Sequence, residues 1–323
     1  QPVFVVRSDD GAIAAYFNSC RHRGSLLLTE DAGKLRSRTI TCPYHRWCYA
    51  PDDGRLLGVS SFAEPEGFDK AGLGLHRVAV AEWRGCVFIN LDASAEFGAD
   101  AFSHGFEELG NFPLEDLVTG DIWTKQIDCN WKAFWDNYNE CLHCPGVHAE
   151  LIEMFPIFKR GLLDERDRPD WREHADNPDP KYRGGLRQGA ETFSRDGSAQ
   201  GYAFTAGLDE DDLARGVTYA GVLPSIYIGM HVDHARIVRI LPLGAEKIQM
   251  QVEWLFRREA LADPAYDISN VTDFAKTILR EDAMVCELNQ KGMRALPLDE
   301  GVLMPEEYDL KHFKDWLLEA LRQ

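Results

Sequence analysis

Two short segments each place one cysteine and one histidine close together: Cys20-Arg21-His22 and Cys42-Pro43-Tyr44-His45. Two thiolates and two imidazoles can bind zinc in a tetrahedron. They can also hold a [2Fe–2S] cluster in which two histidines replace two cysteines on one iron. Zinc fingers pair cysteine with cysteine, whereas each segment here supplies one residue of each type. The spacing therefore favours the iron–sulfur cluster, and the alternatives are zinc or four unrelated residues.

A second group of candidate ligands follows further along the chain. Residues 130–143 fit a helix with one apolar stripe, which Pro145-Gly146 is expected to end. His148 lies beyond that break, so it can converge with His143 on one metal. A small zinc site that includes Cys141-x-x-Cys144 and a purely structural histidine pair are the alternatives.

A carboxylate far downstream can complete this second site. In the predicted helix 268–293, Asp282 lies in the middle of the apolar face and Glu281 lies at its edge. A lone carboxylate on a core-facing stripe is unfavourable unless it is paired or binds a metal. With His143 and His148, Asp282 would form the facial triad of non-haem Fe(II) oxygenases. An aspartate paired within the core is the alternative.

The elements that must position these residues differ between the two parts of the chain. Residues 1 to about 95 read as short β segments separated by turns, and the later part mixes helices and strands. The predicted helices and strands after residue 96 cover 130–143, 268–293, 310–321, 225–230, 237–241 and 248–256. We expect an α+β protein: an all-β domain over 1–95, then a domain over 96–323 with an antiparallel sheet flanked by helices. Residues 160–215 lack periodicity and are expected to lie on the surface or over a pocket.

The composition excludes several partners. The 323 residues carry 35 basic and 53 acidic side chains, a formal net charge of −18, which argues against binding nucleic acid or an anionic membrane. No apolar run approaches the roughly 18 residues of a membrane span. Without a visible secretory signal, the eight cysteines are expected to be reduced in a cytoplasmic protein. Because the chain opens at Gln1 in a strand-like segment, we expect N-terminal sequence to be missing.

These motifs resemble one family. Cys20-Arg21-His22-Arg23-Gly24 and Cys42-Pro43-Tyr44-His45-Arg46-Trp47 resemble the Rieske domain of ring-hydroxylating oxygenases, although that family usually has glycine in place of Arg46. Residues 130–148 resemble the iron motif of the catalytic α subunits, and 281–287 resemble their C-terminal ligand motif. Glu140, in a Glu-Cys-x-His-Cys context, resembles the branch that includes betaine- and carnitine-type oxygenases.

The resemblance implies cofactors, roles and partners. Cys20, His22, Cys42 and His45 would hold one [2Fe–2S] Rieske cluster. His143, His148 and Asp282 would bind one mononuclear Fe(II). Glu140 would link that iron site to a cluster histidine of the neighbouring subunit, and Asn137 would lie near the iron. Electrons would come from NAD(P)H through a separate reductase, directly or through a ferredoxin. The oligomer would be a homotrimer, or an α3β3 assembly with a small subunit.

The expected activity is oxygenation of a small organic substrate with O2, with an aromatic ring as the first expectation. Oxidative N-demethylation of a betaine- or carnitine-like quaternary ammonium compound is the alternative. It would use an aromatic cage. The candidate cage residues are Trp135, Tyr138, Tyr202, Phe204 and Tyr227. Two alternatives belong to other functional classes: an electron-transfer Rieske protein and a zinc-binding structural module. Arg21, Arg23 and Arg46 are a candidate docking patch for the redox partner.

Overall fold

The computed structural model describes residues 1–35, 37–98, 106–163, 171–174, 176–204, 207–295 and 301–322. By its internal contacts the chain divides into two units, Gln1–Gly98 and Ala99–Gln323. Each unit has its own hydrophobic core.

The first unit consists of short strands. They are β1 (Val3–Arg7), β2 (Ile13–Phe17), β3 (Ile40–Thr41), β4 (Cys48–Tyr49), β5 (Leu56–Gly58), β6 (Arg77–Trp83) and β7 (Cys86–Asn90). Antiparallel pairing gives one sheet in the order β1-β2-β6-β7 and a second in the order β3-β4-β5. The alternation of β1 sends Phe4 and Val6 into the core, because successive side chains of a strand point to opposite faces. The predicted all-β first part is confirmed.

The second unit is built on one antiparallel sheet. Its strands are β8 (Val118–Ile127), β9 (Val217–Val222), β10 (Ile226–His231), β11 (His234–Gly244) and β12 (Lys247–Phe256). They lie in the order β8-β12-β11-β10-β9, so the predicted hairpin across residues 244–247 is present as β11–β12. The sequence analysis missed β8 and β9.

Helices accompany this sheet. They are α1 (Trp131–Tyr138), α2 (Cys144–Val147), α3 (Leu151–Met154), α4 (Glu210–Arg215), α5 (Arg258–Ala262), α6 (Ser269–Gly292) and α7 (Tyr308–Ala320). The apolar residues of α6 share one core with the inward residues of β12, such as Val271 and Phe274 with Trp254. The predicted α+β architecture, with an antiparallel sheet and flanking helices, is confirmed.

The predicted helix 130–143 is wrong beyond Tyr138. Asn130 caps the start of α1 by accepting a hydrogen bond from the Lys132 N–H. Asn139 then donates its side-chain amide to the Trp135 carbonyl at 2.7 Å, and its backbone leaves the helical conformation. Short polar side chains compete with the helix for backbone hydrogen bonds in this way. Pro145-Gly146 does not end a helix but lies inside the short helix α2.

Part of the aperiodic stretch 160–215 lies in the core, whereas we expected it on the surface or over a pocket. Thr192, Phe193 and Ser194 are almost fully buried. Residues 164–170, 175 and 205–206 lie outside the described residues. Among the described residues, no helix is both long and apolar enough to cross a bilayer.

Candidate metal centres

The first candidate site is formed by two turns of similar design. Cys20 follows β2 and Cys42 follows β3. In each turn a backbone N–H four residues later donates to the cysteine carbonyl: Gly24 to Cys20 at 2.9 Å and Arg46 to Cys42 at 3.1 Å. Both closing residues have left-handed backbones, with φ of 76° at Gly24 and 58° at Arg46. Arg46 therefore occupies a position that favours glycine, yet the turn keeps the same hydrogen bond.

The two histidines among the four candidate ligands of this site lie close together. His22 Nδ1 lies 3.2 Å from His45 Nδ1. Two nitrogens bound tetrahedrally to one metal at about 2.1 Å lie about 3.4 Å apart, so the pair fits one iron. Cys20 and Cys42 are buried, whereas His22 is exposed. The structure thus places the thiols inside the unit and an imidazole at its surface.

The surroundings of the two thiols differ. Tyr49 OH accepts the Arg21 N–H at 3.1 Å and lies 3.2 Å from Cys20 Sγ, so its proton can point at the sulfur. Burial raises the pKa of Cys42, but the backbone N–H groups of His45 and Tyr44 lower it, and the net shift is downward. Hydrogen-bond donors around both sulfurs suit thiolate ligands, as a cluster requires.

The second candidate site lies between α1, α2 and α6. His143 Nε2 is 3.2 Å from His148 Nε2 and 3.4 Å from Asp282 Oδ1, and His148 Nε2 is 2.9 Å from Asp282 Oδ1. Three donors that occupy adjacent octahedral positions about 2.1 Å from a metal lie about 3.0 Å from one another. The three atoms therefore match one face of a coordination sphere.

Two glutamates orient these histidines. Glu140 Oε1 is 2.5 Å from His143 Nδ1, and Glu281 Oε2 is 2.8 Å from His148 Nδ1. A carboxylate at Nδ1 holds the proton there and leaves the Nε2 lone pair for a metal. The sequence analysis missed this contact of Glu281, which it placed at the edge of the helix face.

The charged groups of the site shift one another's pKa values. Burial lowers the pKa of His143, but Asp282 and Glu140 outweigh it and raise that pKa to about 9. Burial raises the pKa of Asp282, but hydrogen bonds from His143 and His148 give a net downward shift. Asp282 is 4% exposed, so this carboxylate stays ionised in the core only because of these partners.

Asn137 and two cysteines adjoin the ligands. Asn137 Nδ2 lies 3.2 Å from His143 Nε2, and Asn137 Oδ1 accepts a hydrogen bond from Cys286 Sγ at 3.3 Å. Cys144 lies close enough to His143 and His148 to count among potential metal donors. However, Cys141 and Cys144 form a disulfide, so neither offers a thiolate while the bond stands. The expectation that all cysteines are reduced is not met by this pair.

The candidate cage residues separate into two places. Tyr227 contacts Trp135 at a ring-centroid distance of 4.4 Å and Tyr138 at 4.5 Å. Tyr202 instead donates to Asp263, and the Phe204 ring lies under the Arg257 guanidinium. Of the five candidates, Trp135, Tyr138 and Tyr227 form one group.

The sequence analysis also missed Arg236. It lies on β11 at an inward position, between the buried His234 and Val238, and is 5% exposed. A charged residue in a core-facing position of an alternating strand is the same signal that identified Asp282.

Comparison with known proteins gives two family matches. Residues 1–69 match the Rieske [2Fe-2S] domain, and residues 114–323 match the ring hydroxylating alpha subunit, catalytic domain. The glycine betaine monooxygenase oxygenase subunit of Chromohalobacter salexigens is 28% identical over 99% of this chain and 75% of its own length. The chloroplastic choline monooxygenase of Beta vulgaris is 28% identical over 98% of this chain and 66% of its own length.

A solved structure has the same fold. It is that of a quaternary ammonium Rieske monooxygenase, with a TM-score of 0.67 and 20% identity over 98% of this chain and 81% of that one.

Proposed function

Because the chain belongs to the ring-hydroxylating oxygenase α-subunit family and carries a Rieske domain, we propose that it oxygenates a quaternary ammonium compound at an N-methyl group. It is the terminal component of a Rieske oxygenase, with one [2Fe–2S] cluster and one mononuclear iron. The substrate class is the proposal. It reverses the order of our expectations, in which an aromatic ring came first.

One observation carries the choice of substrate. The relatives that match 98–99% of this chain are named for glycine betaine and choline, both of which carry a trimethylammonium group. The group of Trp135, Tyr138 and Tyr227 agrees with this choice, since aromatic faces attract quaternary ammonium ions. Tyr138, the last residue of α1, directly follows Asn137, whose side chain contacts the candidate ligand His143.

We assign the ligand roles by the fit of the donor sets. Cys20, Cys42, His22 and His45 hold the cluster. His143, His148 and Asp282 hold the mononuclear iron. When bound, the cluster would supply single electrons, and the mononuclear iron would activate O2.

The remaining groups position these ligands and limit access to them. Glu140 and Glu281 keep the protons of His143 and His148 on Nδ1. His148 is 1% exposed, so bulk water does not reach its ligand atom.

The overall reaction then balances. One oxygen atom of O2 enters a C–H bond of an N-methyl group, and the other leaves as water after uptake of two electrons and two protons. The resulting N-hydroxymethyl group releases formaldehyde, a proton and the tertiary amine. The electrons come from NAD(P)H through a separate reductase.

The proposal extends to the assembly, to the docking patch for the reductase and to the domain limits. The exposed His22 suits electron entry and transfer between subunits in a homotrimer, or in an α3β3 assembly. Arg23 and Arg46 are exposed beside it, whereas Arg21 donates to the Gly74 carbonyl. We therefore place the docking patch for the reductase at Arg23 and Arg46.

The division of the chain after Gly98 supports a Rieske domain over residues 1–95 and a catalytic domain over 96–323.

A turnover screen tests the substrate class. The holoprotein with a reductase and NADH is given glycine betaine, carnitine, choline or benzoate, and formaldehyde and NADH consumption are measured. We expect formaldehyde in step with NADH oxidation for a trimethylammonium compound, its loss in Asp282→Ala, and its retention in Asp273→Asn, an exposed position on the same helix. Hydroxylated benzoate without formaldehyde would contradict the proposal and support an aromatic substrate.

A further inference from the structure

Three residues form a row across the sheet on the face that carries Tyr227. Tyr219 of β9 pairs with Gly229 of β10, which pairs with Arg236 of β11. A Cβ atom at Gly229 would lie 2.9 Å from Tyr219 Cε1 and 3.6 Å from His231 Nε2. Glycine at the centre of the row thus lets the Tyr219 ring lie directly against the backbone of β10, next to His231.

Arg236 is a buried cation on this face. Among the described residues, its guanidinium makes one hydrogen bond, to Tyr219 OH at 3.4 Å, and no carboxylate oxygen lies within ion-pair distance. The rings of Phe193 and Tyr219 lie 5.2 and 5.8 Å from its Cζ atom. Such cation–π contacts are weaker than the desolvation penalty of a buried ion, so the charge needs an anion.

A second unpartnered group lies beside it. His231 is fully buried, and neither ring nitrogen has a hydrogen-bond partner among the residues that the structure describes. Burial, then His234 and Arg236, hold the pKa of His231 well below its usual value, so the ring is neutral and keeps one N–H to donate. Arg236 and His231 both lie against the rings of Phe193 and Tyr219, so their donor groups occupy the same part of this face.

This region lies near the candidate iron ligands. Burial lowers the pKa of Arg236, but Tyr138, Tyr219 and the Asp282 carboxylate outweigh it and raise that pKa. Burial raises the pKa of both phenols, so they are neutral at pH 7. Asp282 is therefore the negative group nearby, and its Oδ1 atom contacts both His143 and His148. Among the described residues, no ion pair joins Asp282 to Arg236.

We propose that Arg236, with His231, binds the carboxylate of a zwitterionic substrate. The inference rests on the proposed function and narrows it: the substrate is a trimethylammonium carboxylate such as glycine betaine or carnitine, and not choline. The carboxylate supplies the missing anion, while the ammonium end faces aromatic rings and the Asp282 side of the site.

Equilibrium binding to the anaerobic holoprotein separates the two ends of the ligand. The probes are glycine betaine, choline, which lacks the carboxylate, and 3,3-dimethylbutyrate, which replaces the ammonium nitrogen by carbon. We expect Arg236→Gln to weaken glycine betaine and 3,3-dimethylbutyrate about 10- to 100-fold, the range of a lost charge-assisted hydrogen bond. Choline binding should stay within about threefold, which also shows that the variant is folded.

Two matched variants complete the test. Arg236→Lys keeps the charge and should restore part of the affinity. Arg239→Gln alters an exposed arginine on the same strand and should change nothing. Equal wild-type affinity for choline and glycine betaine, or equal losses for both in Arg236→Gln, would overturn the inference.

Failure of the proposed function would look different. In that case 3,3-dimethylbutyrate would bind in an Arg236-dependent manner, while no trimethylammonium compound would bind or turn over.

Discussion

Glu281 tests whether the hydrogen bond behind His148 stabilises iron binding. Its Oε2 atom lies 2.8 Å from His148 Nδ1, and no other hydrogen bond from the described residues reaches that nitrogen. Replacement by alanine removes the acceptor, so the Nδ1 proton is no longer fixed and the Nε2 lone pair is less basic. Replacement by glutamine keeps an acceptor oxygen but removes the charge.

The expected loss follows from the exposure of the pair. A hydrogen bond to a charged group contributes about 1.5–3 kcal/mol. The Glu281 side chain is 32% exposed, so solvent screening places the value near the lower end. About 1.5 kcal/mol corresponds to a tenfold weaker Fe(II) affinity, which agrees with the 10- to 100-fold range for outer-shell partners. Glu281→Gln should lose about threefold, because it keeps a neutral acceptor.

Anaerobic competition against a chromophoric chelator measures this affinity, and Asp273→Asn on the same helix is the control. The cluster absorption should be unchanged in all three variants, since the cluster ligands lie in the first unit. If Glu281→Ala binds Fe(II) as tightly as the wild type, the positioning role is wrong.

Three further outcomes follow from single side chains. Burial raises the pKa of Asp136 to about 6, so the stability that this group contributes is present at low pH and lost as the pH rises through 6. Asp136→Asn should therefore raise the free energy of unfolding by about 1–3 kcal/mol at pH 8 and by about half as much at pH 5, as urea titrations at both pH values would show. Arg46→Gly relieves a left-handed backbone and should stabilise the first unit by about 0.5–1 kcal/mol, measured by its thermal midpoint; an unchanged or lower midpoint would refute the strain. Tyr49→Phe removes the hydroxyl next to Cys20 Sγ and should lower the cluster potential by about 20–60 mV in a redox titration, whereas a potential that rises would contradict the hydrogen-bond direction.

Much of the candidate site could be predicted from residue types and spacing. A cysteine and a histidine two or three residues apart have little freedom to diverge, and the two turns bring His22 and His45 within 3.2 Å of each other. Asp282 was found because a carboxylate on an apolar helix stripe contradicts the pattern around it. The α6 boundaries, Ser269–Gly292, were predicted nearly as they are because the stripe is long and regular.

The parts that failed depend on contacts that a linear pattern does not show. The helix before His143 ends early because the Asn139 side chain bonds the backbone, so a turn and not a helix face brings Glu140 to His143. Strand β8 alternates with few fully buried residues, since it is an edge strand, and its period is weak. Arg236 is a charged residue at an inward position of β11, but the predicted strand covered only residues 237–241 and did not include it.

The iron content of Asp282→Ala tests the central claim most directly. Anaerobically purified wild-type protein should contain about three irons per chain, two in the cluster and one mononuclear. The variant should lose the mononuclear iron and all product formation, while the spectrum of the reduced mixed-ligand cluster remains. A variant that keeps its full iron content, or a wild-type protein that binds zinc and shows no visible absorption, would contradict the account.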